Sequence, residues 1–444
     1  MIAYIKGKLE MKMTEYVVID VGGIGYKVFM SELGIENIGN IGDTVKVHTY
    51  YRVREDDISI FGFNTLEELK MFELLLGVSG VGAKTALTML AVCEPSEFAL
   101  AVISEDVKAL TGIPGIGPKS AKRIILELKD KIKKEQEVKA IKDTMTSRIM
   151  EGKEVTLDDI SITKEYLDNV DRVYIVACGT AYHAGVIGKY AIEKLVRIPV
   201  EVDIASEFRY RNPIIDKNTL CIYISQSGET ADTIAALKLA KSKGATTLAV
   251  SNVIGSSITR EADYSIYTHA GPEIAVASTK AYTSQVMLLI ILAIYFAEIL
   301  GSTPSSELTK LKKDIFNLPD KIEEALKSSE EIKNYAKNIY QEKDVFFLGR
   351  GIDYNTALEA SLKLKEISYI HSEAYAAGEL KHGPIALIEN DITVISIMTD
   401  KNLVEKTVSN IQEVITRGAK TLVVTNQNID DKMFDTVIHI PETN

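Results

Sequence analysis

Three side chains in the last fifth of the chain are of types that move protons on a sugar. Lys363 and Glu366 are three residues apart in a helical pattern, which places them on one face of a helix. His382 follows in the loop Gly378–Pro384, and loops of this kind often carry functional residues. A carboxylate that carries a proton between two carbons, with a histidine that helps to open a ring, would interconvert an aldose and a ketose.

The neighbours of Lys363 and Glu366 help to decide whether the two residues are a catalytic pair or a surface ion pair. Leu362, Leu364 and Ile367 are apolar, so the pair is expected to be partly buried, as catalytic groups often are. A surface ion pair has the same spacing and is the more common reason for it. Lys363 and Glu366 are therefore catalytic candidates, and the surface pair is the alternative.

A serine-rich segment, Ser225–Thr230, has the composition of a phosphate loop. It reads SQSGET, follows the apolar strand pattern Leu220–Ile224 and precedes a helical pattern. Hydroxyl groups and the free amides of a helix start both bind phosphate without a fixed positive side chain. In a parallel sheet such a ligand lies at the carboxyl ends of the strands. A serine that only caps the following helix is the alternative.

Two glycine motifs in the first third of the chain are suited to gripping a phosphate backbone. Val78–Lys84 reads VSGVGAK, and Ile113–Lys119, 35 residues later, reads IPGIGPK. The glycines let a phosphate approach the amides that open the next helix, and the lysine adds a positive charge. A single copy of such a motif often only joins two helices. Two copies favour DNA binding that depends on the shape of the DNA rather than on its base sequence. The candidate DNA-binding residues are Gly80, Gly82, Lys84, Gly115, Gly117, Lys119, Lys122 and Arg123.

A β-rich segment precedes the helices that flank the glycine motifs. Short strands with glycine turns over residues 1–62 predict a small closed barrel of the OB type, and a barrel without a ligand is the alternative. The predicted strands are Met1–Met11, Tyr16–Val21, Tyr26–Met30 and Thr44–Tyr51. Helical patterns flank the motifs at Leu66–Leu76, Lys84–Val92, Val107–Thr111 and Ser120–Lys131.

From Asp171 onwards, buried strands alternate with amphipathic helices, which predicts parallel sheets. The predicted strands are Val173–Cys178, Leu220–Ile224, Thr247–Ser251, Val345–Gly349, Thr393–Met398, Thr421–Thr425 and Val437–Ile440. Those that start at Val173 and Val345 both lead into glycine, which predicts a tandem repeat. Only the first repeat has the serine-rich loop, so one phosphate site is expected per pair of repeats.

Charge is unevenly distributed along the chain. The net charge of the 444 residues is −11, which argues against a protein that only binds nucleic acid. Within residues 108–134, however, eight basic residues accompany two acidic ones, a local charge of +6. The hydrophobic share of 46% is enough for several folded domains.

Membrane and redox signals are weak. The longest apolar run, Val286–Ala297, is shorter than the ~20 residues that span a bilayer, and the first residues lack the layout of a signal peptide. Cys93, Cys178 and Cys221 are too scattered for a disulfide frame or a zinc site. A cytoplasmic protein with free thiols is expected, with no metal and no cofactor.

Residues 1 to about 134 resemble the RuvA family, the Holliday-junction-binding subunits of the bacterial branch-migration machinery. The barrel pattern, the paired helix-hairpin-helix motifs and residues 54–57 (REDD) match in order. The resemblance implies binding of four-way junction DNA, a tetramer, and an acidic pin of Glu55 and Asp56 that repels the DNA backbone at the tetramer centre. The family's third domain, which contacts its motor partner, has no counterpart here, so recruitment of the motor is left open.

Residues 136–444 resemble the isomerase half of the glucosamine-6-phosphate synthase family, which consists of two sugar-isomerase (SIS) domains. The matching stretches are 177–180, 205–211, 225–230, 276–280 and 362–384. The resemblance implies that Glu366 transfers the proton, Lys363 supports the open-chain sugar and His382 aids ring opening across a dimer interface. It also implies a pocket for fructose 6-phosphate or glucosamine 6-phosphate formed by Cys178, Gly179, Thr180, Ser225, Gln226, Ser227, Thr230 and Val276.

Two departures from the synthase family affect the expected activity. The family releases ammonia from glutamine with an N-terminal cysteine, whereas this chain opens with Met1 and Ile2, so no glutamine hydrolysis is expected. The family also continues past the position of Asn444 into a tail whose lysine enters the active site. The second SIS domain is therefore expected to be incomplete at its C-terminus, and catalysis to be weak or absent.

These patterns together predict a fusion of two modules. Residues 1–63 form the barrel, 64–134 the tandem helix-hairpin-helix domain, 135–160 a junction, 161–305 the first SIS domain and 306–444 the second, with the join within 131–141. Three functions stay open: a sugar-phosphate isomerase, a junction-binding protein of DNA recombination and repair with an inactive isomerase passenger, and a non-native chimera. A dimer through the SIS domains and a tetramer through the N-terminal module are expected.

Overall fold

The chain divides into two compact units, Met1–Glu135 and Gln136–Asn444. The computed structural model describes residues 2–443 except 54–57, 147, 151–152, 158–159, 272 and 274–277. Within these described residues the chain forms 15 strands and 17 α-helices.

A closed barrel begins the first unit. Its strands are β1 (Tyr4–Lys12), β2 (Tyr16–Val21), β3 (Ile24–Phe29), β4 (Thr44–Val53) and β5 (Ile58–Phe63), and helix α1 (Glu32–Asn37) lies between β3 and β4. The strand order is β1-β2-β3-β5-β4. Alternate side chains point inward, so Leu9, Val17 and Val47 are fully buried.

Short helices follow the barrel in the first unit. They are α2 (Leu66–Leu76), α3 (Ala83–Val92), α4 (Pro95–Ile103), α5 (Val107–Thr111) and the first part of α6 (Pro118–Met145). A capping box fixes the start of α2, because the Glu68 amide donates to the Thr65 hydroxyl and the Glu68 carboxylate accepts from the Thr65 amide. The glycine motifs form the turns before α3 and α6, and their apolar residues Val78, Ile113 and Ile116 are buried.

Helix α6 is 28 residues long and continues without a break through residues 131–141, where the join is predicted. Beyond Gln136 its apolar side chains lie in the core of the second unit, where Ile141 and Met145 are 2% and 6% exposed. The buried Thr144 hydroxyl donates to the Thr268 carbonyl at 2.5 Å. The last turns of this helix are therefore part of the second unit's core.

The first sheet of the second unit is parallel throughout. Its strands are β6 (Arg172–Ala177), β7 (Val200–Ile204), β8 (Thr219–Ser225), β9 (Thr246–Ser251) and β10 (Tyr264–Tyr267). The helices around it are α7 (Lys164–Asp168), α8 (Gly179–Leu195), α9 (Ala205–Phe208), α10 (Ala231–Ser242), α11 (Ser257–Glu261) and α12 (Lys280–Leu300). The strand order β10-β9-β8-β6-β7 reverses direction between β6 and β8, which creates a crevice at their carboxyl ends.

The second sheet repeats this arrangement. Helices α13 (Ser305–Phe316), α14 (Leu318–Ala325) and α15 (Ser329–Ile339) precede it. Its elements are β11 (Asp344–Gly349), α16 (Ile352–Ser368), β12 (His371–Ala376), β13 (Thr393–Met398), α17 (Val404–Ile415), β14 (Lys420–Thr425) and β15 (Thr436–His439). The order β12-β11-β13-β14-β15, again parallel, reverses between β11 and β13.

Helix α12 is longer than its apolar run predicts. At 21 residues it is long and apolar enough to cross a membrane by length and composition alone, so run length does not exclude a span here. In the structure, 61% of its most apolar window is buried, and Leu288, Leu292 and Ala293 are fully enclosed in the core of the first sheet. The helix therefore packs as a core helix of this domain.

The predicted fold class is confirmed: a barrel, helical hairpins and two parallel α/β sheets. The sequence prediction lacks strands β5, β7, β10 and β12 and helices α1 and α4, and it ends α6 near Lys131. Neither glycine nor proline precedes Ile58, and Asp56 and Asp57 are the only turn-forming residues that mark the start of β5 in the sequence. Helix α6 is longer than predicted because lysine, glutamate and glutamine continue a helix and no breaker follows Lys131.

Candidate functional site

A cleft of about 180 Å³ lies at the carboxyl ends of β6 and β8, where the order of the first sheet reverses. Its walls come from the start of α8, the loop between β8 and α10, and the approach to α12 with its first turns. The lining residues are Cys178, Thr180, Ala181, Ile224, Ser225, Gln226, Ser227, Thr230, Ser278 and Gln285. Six of the eight residues predicted for the sugar phosphate thus surround one cavity, and Gly179 lies beside it at the start of α8.

The loop between β8 and α10 is shaped by its own hydroxyl groups. The Gly228 amide donates to Ser225 Oγ at 3.0 Å, and Ser225 Oγ lies 3.0 Å from Thr230 Oγ1. The Glu229 amide donates to Ser227 Oγ at 3.2 Å. Thr230 makes no side-chain capping bond to α10, so the first amides of that helix remain available to an anion.

Helix α8 presents a second helix start to the same cleft. Gly179 has a φ of +55°, and the N-cap residue Cys178 makes no side-chain capping bond. Both helix starts carry a positive partial charge. The cleft is therefore suited to a phosphate group held by amides and hydroxyls.

Gly228 is the loop residue with the least tolerance for a side chain. Its φ is +69°, and a Cβ there would lie 2.0 Å from Ser256 Oγ and 2.4 Å from Ser256 Cβ. We expect Gly228→Ala to weaken binding of a sugar phosphate by about tenfold or more in calorimetric titration, because overpacking of about 1–3 kcal/mol displaces the loop.

Gly255→Ala is the matched control for Gly228→Ala. Gly255 has a similar φ of +70°, but a Cβ there would meet nothing within 4 Å. This control separates backbone strain from the clash with Ser256. Equal losses in the two variants would contradict the prediction.

Lys363 approaches the cleft from α16. Its Nζ donates to Thr180 Oγ1 at 2.8 Å and to Glu366 Oε2 at 2.6 Å, and lies 3.4 Å from Glu359 Oε1. The side chain is only 16% exposed. Since Thr180 also lines the cleft, the ammonium group lies next to the position of a bound ligand.

Glu366 is the accessible carboxylate beside Lys363. Its side chain is 33% exposed, whereas that of Glu359 is 6% exposed. Ile367 is 66% exposed, so the prediction that it helps to bury the pair is wrong. Residues 365–368, the last turn of α16, and the C-cap residue Tyr369 all face solvent.

Sequence reasoning missed two residues of this cluster, the buried Glu359 and the partly buried His183. Glu359 Oε1 accepts from Thr180 Oγ1 at 3.0 Å, and Glu359 Oε2 lies 2.6 Å from His183 Nδ1. His183 is on α8 and Glu359 on α16, so the network joins helices of the two sheets. The spacing of four between Glu359 and Lys363 is a signal for the carboxylate, but no sequence pattern pairs it with a histidine 176 residues away.

The strand order of the second sheet reverses between β11 and β13, and there a carboxylate from the helix after β11 bonds to the loop after β13. Asp353, in the first turn of α16, is 4% exposed and accepts from the Thr399 amide at 2.8 Å and the Thr399 hydroxyl at 2.5 Å. A carboxylate at this helix start occupies the place of an external anion. This gives a physical basis for expecting one phosphate site per pair of repeats.

His382 lies in a short 3-10 helix, Leu380–His382, and is exposed. In the part of the chain that the structure describes, no hydrogen bond joins its ring to Lys363 or Glu366. Its action on a second subunit's sugar stays a prediction. Val276, Glu55 and Asp56 lie outside the described residues.

The two glycine motifs of the first unit have the same backbone geometry. Gly80 and Gly115 have φ values of +88° and +86°. In each motif the next amide donates to the carbonyl of the first apolar residue, at 3.0 Å in one and 3.2 Å in the other. A Cβ on Gly82 or Gly117 would meet nothing within 4 Å, so the starts of α3 and α6 are both open to a backbone phosphate.

The predicted basic residues of these motifs all face solvent. They are Lys84, Lys119, Lys122 and Arg123. Arg123 Nη1 donates to the Ser79 carbonyl at 3.1 Å, and the Ser79 amide donates to Glu127 Oε2 at 3.2 Å. Helix α6, which follows the second motif, therefore holds the first motif in place.

Three known domain families match separate parts of the chain. The SIS domain family matches residues 166–295 and 338–443, together more than half of the chain. The RuvA N terminal domain matches residues 1–62, and the SAM-like helix-hairpin-helix tandem matches residues 72–130.

Individual relatives match the second unit. A glutamine–fructose-6-phosphate aminotransferase (isomerizing) from Clostridium perfringens is 65% identical over 312 residues, 69% of this chain and 51% of that protein. One from Clostridium tetani is 62% identical over 310 residues, 69% of this chain and 51% of that protein. This chain spans about half the length of these curated relatives. The solved C-terminal domain of glucosamine-fructose-6-phosphate aminotransferase from Francisella tularensis is 37% identical, with a TM-score of 0.66, over 71% of this chain and 89% of that one.

Proposed function

The chain belongs to the SIS domain family, and we propose that its second unit binds fructose 6-phosphate and isomerises it to glucose 6-phosphate. One observation carries this proposal: Thr180 lines the phosphate cleft, and its hydroxyl lies 2.8 Å from Lys363 Nζ. A single side chain thus connects the phosphate site with a lysine and a carboxylate. The similarity to aminotransferases named for fructose 6-phosphate supports the choice of sugar.

The phosphate would lie between the starts of α8 and α10. Ser225, Ser227 and Thr230 supply hydroxyls, and the amides of both helix starts supply further donors. Such a site holds a dianion through hydrogen bonds and helix dipoles. With the phosphate there, the other end of the sugar faces Thr180 and Lys363.

The Glu366 carboxylate and the Lys363 ammonium group have different roles in the reaction. Glu366 removes a proton from C1 of the open-chain ketose and returns it to C2, while a second proton moves from O1 to O2. Lys363 lies 2.6 Å from Glu366 and stabilises the negative charge that develops on the enediolate oxygens. His382 of a second subunit would assist ring opening, in a dimer formed through this unit.

We expect purified full-length protein to bind fructose 6-phosphate in calorimetric titration and to form glucose 6-phosphate slowly in a coupled assay. The double variant Ser225→Ala, Ser227→Ala should abolish binding, because it removes two hydroxyls of the phosphate loop. A matched control, Ser242→Ala with Ser306→Ala, removes two exposed hydroxyls remote from the loop. Binding without turnover would refute isomerisation and leave the second unit a sugar-phosphate-binding passenger, and absence of binding would refute both parts of the proposal.

The first unit supports a second candidate function, binding of four-way junction DNA. The observation that favours it is the closely similar backbone geometry of two glycine motifs, each opening a helix and each carrying an exposed lysine. The match to the RuvA N terminal domain and the helix-hairpin-helix tandem supports it. A tetramer through this unit is part of this proposal. Junction binding in a protein without isomerase activity would make DNA binding the function of the chain.

A further inference from the structure

We propose that His183 is a positioning residue of the isomerase site, acting on Lys363 through Glu359. The inference rests on the proposed isomerase function, because it assigns a role within that site. It starts from a carboxylate that is almost completely enclosed. Glu359 has a side-chain exposure of 6%, and a buried carboxylate is strongly unfavourable without partners.

Every partner of the Glu359 carboxylate that the structure describes belongs to this cluster. Oε1 accepts from Thr180 Oγ1 at 3.0 Å and lies 3.4 Å from Lys363 Nζ. Oε2 lies 2.6 Å from His183 Nδ1. Glu359 is therefore occupied by donors and enclosed, which makes it a support for Lys363 and leaves the role of base to Glu366.

His183 fixes the direction in which Glu359 presents its other oxygen. Its side chain is 14% exposed and on α8, one turn beyond Thr180. Because a carboxylate accepts, Nδ1 is the ring nitrogen that carries the proton in this bond. The terminal torsion of a glutamate is otherwise broad. A donor on Oε2 holds Oε1 towards Thr180 and Lys363.

Lys363 has competing partners, so the orientation that His183 gives to Glu359 affects how strongly Lys363 pairs with the proposed base. Its ammonium group donates to Thr180 and to Glu366, at 2.8 and 2.6 Å. If Glu359 turns away, the Lys363 ammonium loses one carboxylate and pairs more completely with the other. That other carboxylate is the proposed base, so the base would be held by Lys363 instead of facing C1 of the sugar.

A third helix also faces this carboxylate. Burial, and after it the nearby Glu359 carboxylate, raise the pKa of Tyr282 on α12. The negative charge of Glu359 is thus placed among α8, α12 and α16. Because His183 and Glu359 also tie α8 to α16, the test must separate positioning of Lys363 from simple stabilisation of the fold.

Three substitutions separate these roles. The amide nitrogen of asparagine takes the place of Nδ1, that of glutamine takes the place of Nε2, and alanine removes both. We expect His183→Ala and His183→Gln to lower kcat for fructose 6-phosphate by about 10–100-fold, as loss of a supporting hydrogen bond does at other sites. KM should change by less than about threefold, since the phosphate loop is untouched. His183→Asn should restore most of kcat.

Thermal unfolding of the same variants supplies the comparison with a structural role. Lower thermal stability in all three variants at unchanged kcat would overturn the inference. So would an equal loss of kcat in the alanine and asparagine variants. A rise in KM without a change in kcat would show that His183 serves the phosphate site instead.

A readout independent of turnover keeps the two proposals apart. Side-chain ¹⁵N NMR of the full-length protein should show His183 as the Nδ1–H tautomer and should show a Lys363 resonance that shifts in His183→Ala but not in His183→Asn. If wild-type protein binds fructose 6-phosphate but does not isomerise it, the proposed function fails while this pattern still decides the role of His183. An Nε2–H tautomer, or a Lys363 resonance insensitive to His183→Ala, would refute the positioning role.

Discussion

Glu366→Gln is expected to lower the rate of fructose 6-phosphate isomerisation by about 10²–10⁴-fold, the usual contribution of a positioned general base. The amide has nearly the shape of the carboxylate and can still contact Lys363 Nζ, which lies 2.6 Å from Glu366 Oε2. It cannot accept a proton from C1. Binding of the sugar phosphate, measured by calorimetry, should stay within about threefold of wild type, because the phosphate loop lies on other elements.

The control for this variant is Glu389→Gln, which neutralises an exposed carboxylate of the same domain. It should leave rate and binding unchanged. Deuterium exchange at C1 of fructose 6-phosphate gives a second measure, because it follows removal of the C1 proton alone. Exchange at the wild-type rate in Glu366→Gln would transfer the role of base to another group.

Lys84→Ala combined with Lys119→Ala is expected to weaken four-way junction binding on the order of tenfold to a hundredfold at low salt, since charge-assisted contacts to phosphate are lost at both motifs. Their side chains face solvent beside the open helix starts. Two fewer phosphate contacts should also reduce the slope of log affinity against log salt by about 2. The loss should be the same for junctions of different sequence, because these contacts do not read bases.

Lys6→Ala with Lys70→Ala removes the same charge from two exposed positions outside the glycine motifs and serves as the matched control. Band shifts with a four-way junction and a linear duplex, at several salt concentrations, provide the measurement. Similar losses in both double variants would indicate a diffuse electrostatic attraction rather than binding at the motifs. Equal affinity of wild type for junction and duplex would refute junction recognition.

Local patterns predict most of the fold because each element carries its own signal. The strand Thr393–Met398 has the predicted bounds, and Ser225 ends a fully buried strand at the predicted turn. Strand β5 and helix α4 are missing from the prediction, although α4 begins with Pro95, a helix-start signal. The predicted helical pattern Ser120–Lys131 ends too early, although the lysine- and glutamate-rich residues 131–137 that follow it are of types that continue a helix.

The side chains around Lys363 show where sequence reasoning ends. The spacing of Lys363 and Glu366 is local, so the sequence suggests the pair, and their contact at 2.6 Å follows from helix geometry. Burial is a tertiary property, and the exposure of Ile367 shows that apolar neighbours do not establish it. The bond between His183 and Glu359 depends on two helices from different sheets, a contact that single-sequence patterns do not encode.

With the proposed sugar phosphate bound in the first sheet, the carboxylate of Asp353 would give the two halves of the second unit a different dependence on ligand concentration. In the second sheet this anion is part of the chain, so its bonds to Thr399 form whenever the domain is folded. In the first sheet the equivalent place is open for a ligand, whose binding adds stability that grows with the logarithm of its concentration. Amide hydrogen exchange around Ser225–Thr230 would therefore slow as sugar phosphate accumulates, while exchange around Asp353 stays constant. The first repeat would then register the supply of sugar phosphate, and the second would act as a fixed scaffold for the residues that react with it.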